Sequence, residues 1–392
     1  MSVFDNLVGQ EQVVAQLQAA ADAAARLIAG EPEGSGGMTH AWLFTGPPGS
    51  GRSIAARAFT AALQCDRGIG CGRCEACTQA LSGAHPDVAV IVPEGLSLGV
   101  KQAREIIVRS SRSPTRGRWQ VTLIEDADRL TEDGTNALLK ALEEPPPHSV
   151  ILLSAPSTED LLPTVRSRCR LAPLRTPPAD AVAGVLVRRD GVDPAMAAFA
   201  ARAAQGHIGR AKRLATDEAA RSERREVLAL PRLLQGVGSA LGAAKSLYDT
   251  AQEESGKLTK DRDADEKESL STALGVGATG KGVTGKARAA GALKELEKRQ
   301  KSRGTRTQRD ALDRALVDLA AFYRDVLTLQ LCTGVALVHG DLTEQAATIA
   351  RATTPESTLR RVDAVLACRE ALDANVNQLL AVEAMALALR TG

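Results

Sequence analysis

Aromatic side chains are almost missing from this 392-residue chain, which has two Trp, two Tyr and five Phe. Its core must be built from Ala, Leu and Val, and that favours helices packed through small and aliphatic groups. No apolar run reaches the roughly 18 residues needed to span a bilayer, and no hydrophobic segment follows a basic start. A cytoplasmic chain with no membrane partner is therefore expected. Excess charge of either sign is also absent. The 49 Lys and Arg against 47 Asp and Glu leave a net charge of +2. Without a global positive field the chain is not a nucleic-acid-coating protein, and any DNA contact has to be local. Seven cysteines in a reducing compartment do not form a disulfide framework.

What is present begins with alternation. Gln10 to Ile28 has a helical period. Ala41 to Thr45 is a short apolar run that ends at a Gly-rich turn, as a buried parallel strand does, and Ser53 to Leu63 reads as a helix. Val88 to Val92, Gln120 to Ile124 and Val150 to Ser154 are further strand-like runs. A helix over Thr135 to Leu142 is stopped by three prolines. This alternation predicts an α/β fold, a parallel sheet covered by helices on both faces, over residues 1–177. From 178 to 220 the strand signal vanishes, and three short helices (Asp180 to Arg189, Pro194 to Ala204, Gly209 to Ala215) make a small lid. Residues 221–392 are expected to be all-α. Leu312, Leu316, Leu319, Tyr323 and Val326 mark one helical stripe, and a helical pattern returns over Thr358 to Leu389. The mixed charges and glycines of about 253–285 predict a flexible insertion. Gly280-Lys281 within it has no preceding strand and reads as a solvated loop. Lys298 to Arg309 is basic, and a solvated face is favoured there over DNA contact.

Gly46-Pro-Pro-Gly49-Ser-Gly51-Arg52-Ser53 lies between a strand and a helix, the context a phosphate-binding loop requires. Its glycines let backbone N–H groups converge on phosphate oxygens, and the helix N-terminus adds its dipole. Lysine is the usual residue at Arg52. The planar guanidinium differs from it in reach and geometry. Ser53 remains able to ligate Mg²⁺. An occupied ATP or ADP site and a relic loop kept for its shape are both open. At the end of the third strand the usual Asp-Glu order is exchanged to Glu125-Asp126. One methylene shifts a carboxylate by more than about an ångström, enough to damage in-line attack by water.

Cys65, Cys71, Cys74 and Cys77 offer four thiolates within thirteen residues, with two Cys-x2-Cys spacings. Tetrahedral Zn²⁺ takes that ligand set in a closed structural site. An iron–sulfur site or free thiols are the alternatives. The zinc module spans residues 64–78. Cys169, Cys332 and Cys368 are expected to be small buried hydrophobes.

Several stretches taken together resemble bacterial sliding-clamp loader subunits of the AAA+ family. They are Phe4-Asp-Asn-Leu-Val-Gly-Gln10, His40-Ala41, the loop and acidic motifs, Asn136-Ala-Leu-Leu-Lys-Ala-Leu-Glu-Glu-Pro145, Arg166-Ser-Arg-Cys169, the cysteine cluster and Asn375-Val-Asn-Gln378. The resemblance runs through the first ~215 residues. It implies a RecA-like AAA+ domain, a helical lid, and a helical collar that joins a heteropentamer within the DNA polymerase III holoenzyme. Implied partners are gamma/tau and delta subunits, the sliding clamp and, through the complex, primer-template DNA. The resemblance also implies that Arg168 crosses to the γ-phosphate of ATP in a neighbouring subunit. Four departures from the ATP-hydrolysing motor (gamma/tau) pattern favour the scaffold member. They are Arg52, the Glu125-Asp126 exchange, Ala155-Pro156 where the motor senses phosphate through threonine, and Gly209, which puts Arg210 one residue, about 100°, out of place. The alternative within the family is the motor itself.

Overall fold

The computed structural model describes residues 2–31, 37–274 and 283–392, with backbone alone for 283–289. It divides into two compact units, Met1–Thr216 and Asp217–Gly392.

The first unit runs α1 (Glu11–Ile28), β1 (Ala41–Thr45), α2 (Arg52–Gln64), α3 (Glu75–Ser82), β2 (Val88–Ile91), α4 (Val100–Ser110), β3 (Gln120–Ile124), α5 (Glu132–Glu143), β4 (Ser149–Ala155), α6 (Pro163–Arg166), β5 (Arg170–Pro173), then α7 (Ala179–Asp190), α8 (Pro194–Ala203) and α9 (Ile208–Thr216). The five strands are parallel, in the order β2-β3-β4-β1-β5. This is the RecA-like AAA+ sheet implied by the resemblance.

Period-two alternation along β1 builds both faces. Trp42 and Phe44 join Phe59 and Leu17 in one core, and Ala41 and Leu43 join Leu98, Ile106 and Leu138 in the other. All five residues of β1 are buried, so its run is continuously apolar up to Thr45. Its register against β4 pairs Leu43 with Leu153 and Thr45 with Ala155, which brings the ends of the two strands together. The scarce aromatics are concentrated here. Trp42 meets Phe59 edge-on at 5.0 Å, and the Arg170 guanidinium lies 5.1 Å over the Trp42 ring.

The second unit is helical: α10 (Glu218–Leu233), α11 (Val237–Ala273), α12 (Val283–Gln330), α13 (Thr343–Ala352), α14 (Pro355–Asp373) and α15 (Gln378–Thr391). Leu312, Leu316, Leu319, Tyr323 and Val326 form the buried stripe of α12, against Val365, Leu372, Val382 and Met385. Asn375 is left-handed at φ 60°, and Asn377 Oδ1 caps α15 by accepting from Leu380 N at 3.2 Å.

Two expectations need correction. Residues 253–273 are not a loose insertion but the continuation of α11. Ser255 Oγ donates to Gly304 O at 2.8 Å, and Gln300 Nε2 to Asp263 O at 2.8 Å. Arg303, 7% exposed, is held by Asp263 and Glu266. Each segment alone is too polar to fold, but acidic α11 and basic α12 neutralise each other as a helical hairpin. The Gly275 to Gly282 stretch, Gly280-Lys281 included, lies outside the described residues. Cys332, in turn, is exposed. It follows the last turn of α12 with a left-handed φ of 50°, which takes it out of the helix's buried stripe. No helix among the described residues is long and apolar enough to cross a membrane.

Candidate functional site

The phosphate-binding loop joins β1 to α2. Gly46, Gly49 and Gly51 have φ of 150°, 89° and 94°, conformations that L side chains rarely adopt. A Cβ on Gly46 would sit 2.5 Å from Leu174 O, and one on Gly49 would sit 2.5 Å from His207 Cβ. The loop is thus folded tightly against the residue that follows β5 and the residue before lid helix α9. Ser50, 2% exposed, keeps its Oγ buried without a hydrogen-bond partner.

Arg52 opens α2. Burial pulls its pKa below the ordinary arginine value, against the opposing charges of Asp126, Asp128, Asp160 and Glu125. Its Nη1 is buried with no hydrogen-bond partner. A guanidinium in this position has donors to spare for phosphate, within an acidic surround.

Glu125 is not a solvated strand end. Arg57, five residues past Arg52 on α2, donates to Glu125 Oε1 from Nε at 3.1 Å and from Nη2 at 3.0 Å. A carboxylate tied this way is a poor base for activating water. Asp126 has a left-handed φ of 49°, and its N–H donates to Ser154 Oγ at 3.3 Å. The hydroxyl at the end of β4 thus serves the main chain of the acidic motif. Ala155 and Pro156 follow, and Pro156 O accepts from Gly46 N at 3.1 Å. Asp128 turns inward on a short 3-10 turn. Burial, with Asp126 nearby, raises its pKa. Gly209 supplies no side chain at the lid, and Arg210 N donates to His207 Nδ1 at 3.2 Å.

The structure thus assembles Gly46, Gly49, Gly51, Arg52, Ser53, Glu125 and Asp126 around one loop. The loop glycines and Ser53 fit a nucleotide phosphate with Mg²⁺. Arg52 and the engaged Glu125 fit turnover poorly. Arg57, Asp128 and His207 carry no sequence signal for these roles. Only the folded helix pitch and the 3-10 turn bring them in.

Arg168 stands apart from this loop's residues, on the turn between α6 and β5. Its Nη2 is 2.6 Å from Glu143 Oε1, and its Nη1 donates to Thr164 O at 2.7 Å and to Ser167 Oγ at 3.2 Å. The pair is partly exposed, so it contributes at most about 1 kcal/mol and is easily exchanged for another anion. Its neighbours are engaged too. Arg166 lies 4.0 Å from Glu159, and Arg170 donates to Gly37 O.

The four sulfurs of Cys65, Cys71, Cys74 and Cys77 lie within 4.8 Å of one another, a spacing that fits one tetrahedral ion. Cys65 follows α2 and Cys74 caps α3, so both ends of the knuckle are anchored on helices. Cys65 Sγ accepts from Cys71 N at 3.4 Å, and Cys74 Sγ from Cys77 N at 3.5 Å. Backbone N–H groups of Arg73 and Cys74 pull the Cys71 thiol down to about 6. Burial pushes Cys77 up. Bound Zn²⁺ would hold all four as thiolates and offer no open position for catalysis. Of the remaining cysteines, Cys169 is raised to about 12 and Cys368 to about 11 by burial, as inert thiols are.

The sequence model of the family described as "DNA polymerase III, delta subunit" matches residues 30–178. The gamma/tau subunit of Mycobacterium bovis is 35% identical over 189 residues, 47% of this chain and 31% of that one. The delta' subunit of Pseudomonas aeruginosa is 38% identical over 135 residues, 33% and 41% of the two chains. That of Escherichia coli K12 is 37% identical over 158 residues, 39% and 47%. The matched region spans less than half the length of each relative. With the strand order, the phosphate loop and the four-cysteine knuckle, these likenesses place the chain, through residues 30–178, in the clamp loader family of DNA polymerase III subunits.

Proposed function

We propose that this chain is a delta-prime-type scaffold of the clamp loader, which lends Arg168 to the nucleotide site of a neighbouring motor subunit and hydrolyses ATP poorly or not at all. Its partners would be gamma/tau and delta subunits, the sliding clamp and primer-template DNA. The observation that carries the reading is the pairing of Glu125 with Arg57 beside an arginine in the loop's lysine position. The groups for holding phosphate are kept while the group that would activate water is occupied. Arg168 supplies the complementary half. A guanidinium on the surface, paired with the exposed Glu143 and donating to Thr164 O and Ser167 Oγ, can neutralise charge spreading over a neighbour's transferring phosphoryl group, an effect worth roughly 10³ to 10⁵ in rate. Zn²⁺ on the four cysteines would be structural.

Arg168→Ala, assembled with its loader partners, should leave complex formation intact on gel filtration and depress DNA-stimulated ATPase and clamp loading. Unchanged ATPase in a complete complex would remove the finger role. A motor reading also has support, because the longest of the three matches is to a gamma/tau subunit. Turnover by the purified chain with DNA, abolished by Ser53→Ala, would establish that reading instead.

A further inference from the structure

Arg52, Arg57 and Arg129 stand at the phosphate loop and its acidic motif, and they are not in the same state. Arg57 Nη2 lies 3.0 Å from Glu125 Oε1, and Arg129 Nε lies 3.8 Å from Asp126 Oδ2. Each carboxylate of the motif therefore has a cation of this chain beside it. Asp160, another of the acids around Arg52, accepts from Ser157 N at 2.8 Å. Arg52 itself makes no ion pair or hydrogen bond among the described residues, and its Nη1 is buried. Ser50 Oγ is also buried without a partner, and a Cβ on Gly46 would lie 2.6 Å from it. A buried donor and a buried hydroxyl left unmatched on one loop mark a place for an acceptor that the chain does not supply.

Mg²⁺ at such a loop is held by the loop hydroxyl together with a strand-end carboxylate. Ser53 offers the hydroxyl. The strand end is the weaker half, because Glu125 and Asp126 are both neutralised from within the chain. A planar guanidinium, by contrast, meets phosphate oxygens with paired donors and needs no metal between. A third phosphate is provided for less well than the first two. In a phosphate loop the acidic strand end faces that group. Here Asp128 Oδ1 is buried without a hydrogen-bond partner, and Gly209 brings no side chain from the lid. Ser154 Oγ already accepts from Asp126 N at 3.3 Å. Without a metal as bridge, a third phosphate would meet carboxylate charge.

From these residues we infer that the loop binds a nucleoside diphosphate without Mg²⁺. Arg52 supplies the charge that a metal supplies elsewhere, and the Arg57–Glu125 pair keeps the metal out. The inference rests on the reading above that this site holds phosphate without turning it over, and it names the ligand. It does not depend on Arg168, whose proposed target is a neighbour's site.

The test is isothermal titration calorimetry of the full chain, freed of bound nucleotide, with ADP or ATP. Buffers contain millimolar Mg²⁺ or none, and no chelator is present, so the cysteine site is undisturbed. ADP should bind within about threefold equally in the two buffers, and ATP about tenfold or more weaker than ADP where Mg²⁺ is absent. Arg52→Ala should weaken ADP about tenfold or more in both buffers, since a charge-assisted contact is lost. Arg57→Ala releases the Glu125 charge and should make binding metal-dependent, about tenfold weaker without Mg²⁺ and recovering when it is added. Should that variant not fold, Arg57→Gln still donates to Glu125 and should shift the same way by less. A loss of about tenfold or more in the parent's ADP affinity on leaving out Mg²⁺ would overturn the inference. So would ATP bound as tightly as ADP in that buffer. No ADP binding in either buffer would overturn it too and make the loop a relic, while the Arg168 reading, which is tested on a neighbour's hydrolysis, would stand.

Discussion

At the residue scale, charged groups of the candidate site are held by partners distant in sequence. Arg52 and the Glu125-Asp126 order can be read directly as departures. The reason they matter depends on Arg57, which meets Glu125 across 68 residues of sequence. A similar hidden pairing occurs in the second unit. His339, 1% exposed, has Nδ1 2.6 Å from Arg224 Nη2 and Nε2 3.1 Å from Asp318 O. Arginine has only donors, so Nδ1 must accept and Nε2 must carry the proton. Asp325 accepts from Val338 N at 3.0 Å and His339 N at 2.7 Å, and Asp341 lies 3.3 Å from Arg224. Burial and the Arg224 charge hold the imidazole below its ordinary pKa, against Asp318 and Asp325. The unfolded chain therefore binds this proton more readily. The contribution to stability is complete above about pH 6.5 and is lost as pH falls below it, by up to about 1.4 kcal/mol per pH unit. Denaturant unfolding of the parent and of His339→Gln, from pH 7.5 to 5, should show a steeper fall in the parent. Glutamine can still accept from Arg224 and donate to Asp318 O without taking a proton. Parallel curves would show that His339 does not titrate with unfolding.

At the scale of elements, strands were the easiest to read and charged helices the hardest. Gln120–Ile124 stands where its β-branched and aliphatic residues predict, and all five of its residues are buried. β5 was missed, since Arg170–Pro173 contains an arginine and a proline and lies at the sheet edge. α4 was missed as well, its buried apolar positions being only Ala103 and Ile106 beneath a charged face. The α11–α12 hairpin failed for a different reason. Its stability lies between the helices, so neither sequence segment alone announces it. Arg303 is the hub of that pairing, and removing one member of a buried ion pair typically costs about 3–5 kcal/mol. Arg303→Ala should accelerate amide hydrogen exchange in 256–273 and 290–306 while α14 and α15 remain protected. Exchange spread evenly through the second unit would mean that the hairpin is part of one cooperative core. Unchanged exchange would mean that the other contacts hold it.

At the scale of the whole molecule, two compact units that share no core imply two unfolding events. The four cysteines belong to only one of them. Cys65, Cys71 and Cys77 pack in the same core as Phe59 and Ala62, and Val3 N donates to Gly70 O at 2.9 Å, which ties the knuckle to the amino-terminal segment. A metal removed from Cys65, Cys71, Cys74 and Cys77 therefore loosens α2 and α3 at their junction, while the helices after Asp217 keep their own packing. Chelation under reducing conditions should lower the first unit's melting temperature by roughly 5 °C or more, at about 2–4 °C per kcal/mol for a unit of this size. The second unit's transition should stay in place. Scanning calorimetry of the full chain reads both at once, and Co²⁺ reconstitution reports tetrahedral thiolate ligation by its visible absorption. Purified chain with much less than one zinc per molecule and no thermal response to chelator would mean that the sulfur cluster is a reduced thiol core. Equal shifts of both transitions would mean that the two units unfold together.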